Sequence, residues 1–223
     1  MNDQMNVNPV MTGPGMPQND QNPAWERRDE IGLGPALFET WKQSLTEPRM
    51  FFGSFNSQGK IGDAVIYLII MAFVSSLSIF MPGFDSFMPT PEADVAPMMM
   101  SGFTKIVMIP LIPVIAVIGV VIMSGIFHLC LLLFGGVSKP FESTFKVVAY
   151  ASGTTVFSLI PFIGSIIGSI WNIVLLSIGL SEVHRTDLWK AIVTVLIPFL
   201  LCSCCLVFGA MTTIMSIMAA TAH

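Results

Sequence analysis

Five long apolar runs occupy the chain from residue 61 onward, at about 61–81, 106–134, 144–162, 163–180 and 188–215. About 20 consecutive apolar residues carry an α-helix across a ~30 Å hydrocarbon layer, and soluble cores do not produce such stretches five times over. The expected fold class is all-α: a polytopic membrane protein, a bundle of five transmembrane helices preceded by a short N-terminal amphipathic helix. Composition agrees, with 53% hydrophobic and 11% charged residues in 223 and a mean hydropathy of +0.76. That length leaves room for one membrane domain and one short tail.

Charge is sorted by loop. Arg27, Arg28, Lys42, Arg49 and Lys60 precede the first run, Lys139 and Lys146 follow the second, and Arg185 and Lys190 follow the fourth. The intervening loop, 82–105, carries only Lys105, and the turn around Pro161 to Gly164 carries no basic residue. Nine of the ten Lys and Arg therefore fall on one side. The positive-inside rule puts the N-terminus in the cytoplasm and the C-terminus outside. The expected location is a bacterial inner (plasma) membrane. Residues 1–34 contain no apolar stretch behind a basic one, so no signal peptide is expected. No basic surface of the kind nucleic acid demands is present.

The domain boundaries follow from composition. Residues 1–34, rich in Asn, Gln, Met, Pro and Gly at their start, read as a disordered or extended tail, with order beginning near Trp25. Residues 35–60 form a cytoplasmic interfacial segment. Within it Leu37, Phe38, Trp41 and Leu45 share one helical face from Pro35, and Pro48 stops the helix. Residues 61–215 are the membrane domain. The second run is longer than a bilayer is thick, so it tilts or kinks, with Pro110 and Pro113 near its outer end. The third and fourth runs meet in a tight hairpin. There Gly164 and Gly168, with Ser165 and Ser169 one position on, let two backbones approach closely.

Several short strings match a known pattern. They are Trp41 followed by Pro48-Arg49-Met50-Phe51-Phe52, then Phe145-Lys146-Val147-Val148-Ala149-Tyr150 and Ile160-Pro161-Phe162-Ile163-Gly164. Trp171, Ile178-Gly179-Leu180, His184 and Lys190-Ala191 continue the series. In order and spacing the chain resembles the bacterial branch of the Yip family, the Ypt-interacting membrane proteins of vesicle traffic, over roughly residues 34–200. The resemblance implies five membrane helices, a cytosolic N-terminus and a role in membrane organisation. It does not imply small-GTPase binding: Leu33-Gly34-Pro35-Ala36-Leu37 lacks the Asp and Tyr of the eukaryotic Asp-Leu-Tyr-Gly-Pro-Leu motif. Tyr150, Pro161 and Trp171 join Gly164 and Gly168 as the candidate helix-packing seam.

Chemistry is sparse. No carboxylate, Lys or Arg lies near the middle of a run, which argues against an ion-coupled transporter. His128 reads as a hydrogen-bonded packing residue or, alternatively, a proton carrier. Cys202, Cys204 and Cys205, with the Met98-Met99-Met100 run, are soft donors, yet these cysteines sit mid-run and serve equally as small hydrophobes. No enzyme activity, cofactor or metal is expected. The leading reading is a non-catalytic multi-pass protein that organises membrane or binds partners at its cytoplasmic face. The alternatives are a passive lipid scramblase or small-molecule conduit, and copper handling through Met and Cys. Expected partners are membrane lipids, other membrane proteins or further copies of the chain, and not nucleic acid. The candidate interaction surface is Trp41, Phe51, Phe52, Arg185 and Lys190, a mixture of aromatics and cations suited to anionic headgroups.

Overall fold

The computed structural model describes residues 23–54, 61–80 and 102–221, and every described element is helical. Readings that concern residues 1–22, Lys60, the Met98–Met100 run or His223 lie outside the described residues. After a 3-10 turn at Ala24–Arg27 come α1 (Arg28–Ile31), α2 (Leu33–Thr46) and α3 (Pro48–Gly53). The membrane portion is α4 (Ile61–Ser76, ending in a 3-10 turn Leu77–Phe80), α5 (Gly102–Leu133), α6 (Phe141–Ala151), α7 (Gly164–His184) and α8 (Leu188–Thr221).

By length and composition, Ile61–Phe80, Ile106–Leu133 and Gly164–His184 can each cross a membrane. The fold is all-α, and five consecutive helical segments follow the five apolar runs. They are not equally immersed in protein. Only 6% of the most apolar window of α5 is buried, against 44% for Ile61–Phe80 and 39% for α7. Most of α5 therefore faces outward, where Ile115, Ile118, Ile122 and Leu129 stand bare.

The third run departs from expectation. A single α-helix over 144–162 is not what forms; α6 ends at Ala151 and the chain continues as an eight-residue 3-10 helix, Ser152–Leu159. The local sequence explains it. Ser152-Gly153-Thr154-Thr155-Val156 combines glycine with hydroxyl-bearing and β-branched residues, all poor helix formers. The hydroxyls of Ser152, Thr154 and Thr155 donate to the carbonyls of Ala149, Ala151 and Ser152, each three residues back. That spacing is the one at which a 3-10 turn brings residues into register. With its larger rise per residue, the composite segment reaches about 32 Å, still a membrane's width.

The hairpin turns at Pro161–Ile163, with Phe162 at φ +67°. Gly164 and Gly168 of α7 then lie against the 3-10 segment. A Cβ on Gly164 would sit 1.9 Å from the Phe157 carbonyl oxygen, and one on Gly168 would sit 2.9 Å from that of Thr154. Higher on α7, Gly179 performs the same service for α6 and α3, its hypothetical Cβ falling 2.6 Å from Val147.

The N-terminal boundary also shifts. Residues 24–31 are helical and Trp25 is buried, so ordered structure is present near Trp25, inside the segment read as a tail to residue 34. The buried face of α2 is turned from the predicted one. Ala36, Thr40 and Ser44 are fully covered together with Leu45, while Phe38 is left outside. Thr40 is on the inner face because its Oγ1 accepts the Trp25 backbone N–H at 2.7 Å.

Candidate functional site at the basic end of the bundle

Among the described residues, Arg27, Arg28, Lys42 and Arg49 sit on the short N-terminal helices, Lys139 and Lys146 on the α5–α6 turn and α6, and Arg185 and Lys190 at the α7–α8 turn, all towards one end of the bundle, while Lys105 lies in the first turn of α5. Two ion pairs are folded inside this end. Glu26 accepts from Lys146 Nζ at 2.9 Å with side chains only 5% and 3% exposed, and the Tyr150 hydroxyl donates to the same carboxylate oxygen at 3.3 Å. Arg28 pairs with Asp63 at 2.8 Å. Between them Trp25 lies against Tyr67, which packs on Tyr150 with ring centroids 5.1 Å apart. The Trp25 indole N–H donates to the Asp63 carbonyl at 2.8 Å. A nine-residue stretch before α2 thus plugs the first and third membrane segments together.

Desolvating a carboxylate and an ammonium costs several kcal/mol each, and only close pairing with further hydrogen bonds offsets it. Tyr150 supplies such a bond. Buried, paired charges of this kind tie segments together.

A second polar cluster joins α5, α6 and α7. His184 Nδ1 lies 3.4 and 3.3 Å from the backbone N–H groups of Ser138 and Lys139, which can only donate. That nitrogen is therefore unprotonated, and Nε2 carries the hydrogen and donates to Thr144 Oγ1 at 2.9 Å. The Thr144 hydroxyl must then donate to His128 Nδ1, 2.8 Å away, which places the His128 proton on Nε2. The Ser138 hydroxyl in turn bonds the His184 carbonyl. His128, read from the sequence as a hydrogen-bonded packing residue or a proton carrier, is one end of a directed three-residue chain.

The candidate surface residues have different fates. Phe51 and Phe52 are buried, at 4% and 1% exposure, and do not form part of an exposed surface. Phe51 packs on Tyr150 and Phe52 beside Gly179. Trp41 is half-buried; its indole donates to the Gly153 carbonyl at 3.0 Å, anchoring α2 to the 3-10 segment. A carbonyl that leaves α-helical register needs a new donor, and Trp41 supplies it. Arg185 and Lys190 remain at the surface or near it. Of the seam residues, Tyr150 is fully buried, whereas Pro161 and Trp171 are exposed.

Arg185 closes α7 in the left-handed region at φ +50°, with Thr186 N–H bonding to Ser181 C=O and Arg185 N–H to Glu182 C=O. This is a Schellman turn, where glycine is the residue of least strain. Arg185→Gly is expected to raise stability by about 1 kcal/mol, read as a rise of roughly 2–4 °C in detergent melting. A lower melting temperature would show that the guanidinium itself holds the turn.

The Yip1 domain family model matches residues 42–209. The chain belongs to the Yip1 domain family. No curated protein and no solved structure matches it. With its apolar helices, membership makes it a multi-pass integral membrane protein. The matched region begins after the Trp25–Arg28 plug, so the segment that supplies Glu26 to Lys146 precedes the Yip1 domain. Among the described residues no group of three or more His, Cys, Asp or Glu side chains is placed to hold a metal.

The sequence reading did not find Glu26, Asp63, Lys146 or His184 as partners. One signal was available: Asp63 and Lys146 lie within or at the edge of apolar runs, and an ionisable group at such a position needs a counterpart.

Proposed function

We propose that this Yip1-domain protein is a non-catalytic membrane organiser, set with its basic end in the cytoplasm and acting through a rim of exposed apolar and cationic side chains. The observation that carries the reading is the outer face of α2 and α3. Leu33, Phe38 and Met50 are 65%, 60% and 69% exposed, on short helices that also present Lys42 and Arg49. Across the α7–α8 turn, Trp189 is 58% exposed with the Lys190 ammonium 5.8 Å from its ring.

Bare aromatic and sulfur side chains beside cations suit the headgroup layer of an anionic leaflet. Short helices lying there take up area in one leaflet only, and their binding depends on curvature. The Glu26–Lys146 and Arg28–Asp63 pairs hold these helices to the membrane segments, so a displacement of the rim is transmitted to the bundle.

The test is reconstitution into vesicles containing anionic phospholipid, imaged by electron microscopy. Wild-type protein should narrow or tubulate the vesicles with increasing density. The triple variant Phe38→Ser, Met50→Ser, Trp189→Ser should insert and melt normally yet lose at least half of that effect. Equal remodelling by the variant would remove the rim from the mechanism.

A further inference from the structure

Away from the basic end, a cavity of about 750 Å³ opens between α4, α5, the 3-10 segment, α7 and α8. A second cavity of about 360 Å³ shares eight lining residues with it, among them Ser75, Ile112, Asn172 and Phe199. The two are one space with two chemistries. The lining unique to the smaller arm is wholly apolar and includes Leu68, Ala72, Met123, Phe127 and Leu176. The lining unique to the larger arm contributes Ser76, Ser78, Thr154, Ser158, Ser165 and Ser169.

We infer that this space is a binding site for a single-chain lipid with an uncharged, hydroxylated head, the chain in the apolar arm and the head among the hydroxyls. Four observations support it.

The first is the direction of the hydrogen bonds. Ser75, Ser76, Thr154, Thr155 and Ser169 each donate to a carbonyl three or four residues back in their own helix. Asn172 Nδ2 donates to the Ala151 carbonyl and to Thr154 Oγ1. Their protons are committed, and what they offer inward is oxygen lone pairs. A ligand that brings donors is complementary to such a wall.

The second is Ser158, whose Oγ is buried with no hydrogen-bond partner among the described residues. A buried hydroxyl without a partner is destabilising, and a ligand hydroxyl that reached it would supply the missing bond. The third is the absence of any ionisable side chain from both described linings, so a charged head would lose its hydration with nothing in return.

The fourth is size. At roughly 30 Å³ for each water- or methylene-sized unit, the apolar arm of about 360 Å³ takes about 12 such units of chain, and the larger arm of about 750 Å³ takes the head and the rest of the chain. The site lies at membrane depth beside the sparsely packed α5, so its ligand arrives from the bilayer. None of this depends on the rim of α2 and α3.

The test uses the full chain in nanodiscs and a monoacylglycerol carrying a photoreactive diazirine in its acyl chain. Labelling should concentrate on peptides containing Ile112–Met123 and Ser165–Leu176. Unlabelled monoacylglycerol should compete at least tenfold better than the methyl ester of the same fatty acid, which has no donor, or than a two-chain phosphatidylcholine. Gly119 lines the apolar arm with nothing within 4 Å of where a Cβ would be. Gly119→Phe should therefore fill the arm, keep the wild-type melting temperature and abolish the protectable labelling. Labelling spread evenly along the outward face of α5, equal competition by the methyl ester, or undiminished labelling of a folded Gly119→Phe protein would each overturn the proposal.

Discussion

Lys146→Met is expected to destabilise the protein by about 3–5 kcal/mol, the cost of stranding a buried charge whose partner has been removed. The stranded group is the Glu26 carboxylate, 5% exposed, which among the described residues would keep the Tyr150 hydroxyl as its side-chain partner. At about 2–4 °C per kcal/mol for a chain of this size, melting in detergent should fall by roughly 6–20 °C. The double variant Glu26→Leu, Lys146→Met should recover most of the loss, since an apolar pair of similar volume strands no charge and costs only the Tyr150–Glu26 hydrogen bond. This recovery distinguishes a buried ion pair from a site where Lys146 is needed for itself. If the double variant melts no higher than the single one, the pairing is not what stabilises this end.

Gly164→Ala should cost about 3 kcal/mol or more, at the upper end for an overpacked site. The obstacle is backbone: the new Cβ falls 1.9 Å from the Phe157 carbonyl oxygen and 2.8 Å from Ile160 Cβ, with no flexible side chain to give way. Gly168→Ala meets the Thr154 carbonyl oxygen at 2.9 Å and should cost about 1–3 kcal/mol. Gly125→Ala on α5 has nothing within 4 Å and should be neutral or gain up to about 1 kcal/mol of helix propensity. Thermal unfolding of the three variants in one detergent gives the ranking. A Gly164→Ala protein that melts with Gly125→Ala would show that the hairpin and the 3-10 segment are not in contact.

The membrane segments were legible because length of apolar run is a strong, local signal. What hydropathy conceals is hydrogen bonding. Ser152, Thr154 and Thr155 score as mildly polar, yet each claims a carbonyl three residues back and converts the end of α6 to 3-10 geometry. The interaction surface was misread at Phe51 and Phe52 because aromatics next to Arg49 look interfacial in one dimension. Their burial is set by Gly179 and Tyr150, more than 95 residues further on. The plug at Trp25–Arg28 had no periodicity at all to reveal it. Its partners are single residues on two distant helices, and no window along the chain contains both halves. The amphipathic cavity was hidden for a related reason: each hydroxyl is unremarkable alone, and only the fold gathers them on one wall.

The 120-residue separation of Glu26 and Lys146 also sets a timetable for biogenesis. A ribosome adds about 5–20 residues per second, so Lys146 is made roughly 6–24 s after Glu26. In that interval Trp25, Glu26 and Arg28 have left the exit tunnel, while the lysine that neutralises the carboxylate does not yet exist. The first helix can enter the bilayer, and Arg28 can meet Asp63, but the N-terminal plug cannot seat fully until the third segment has been delivered. Its seating is therefore a late step of assembly, and a nascent chain halted before residue 146 should leave Glu26 open to water and to modifying reagents that the finished protein excludes.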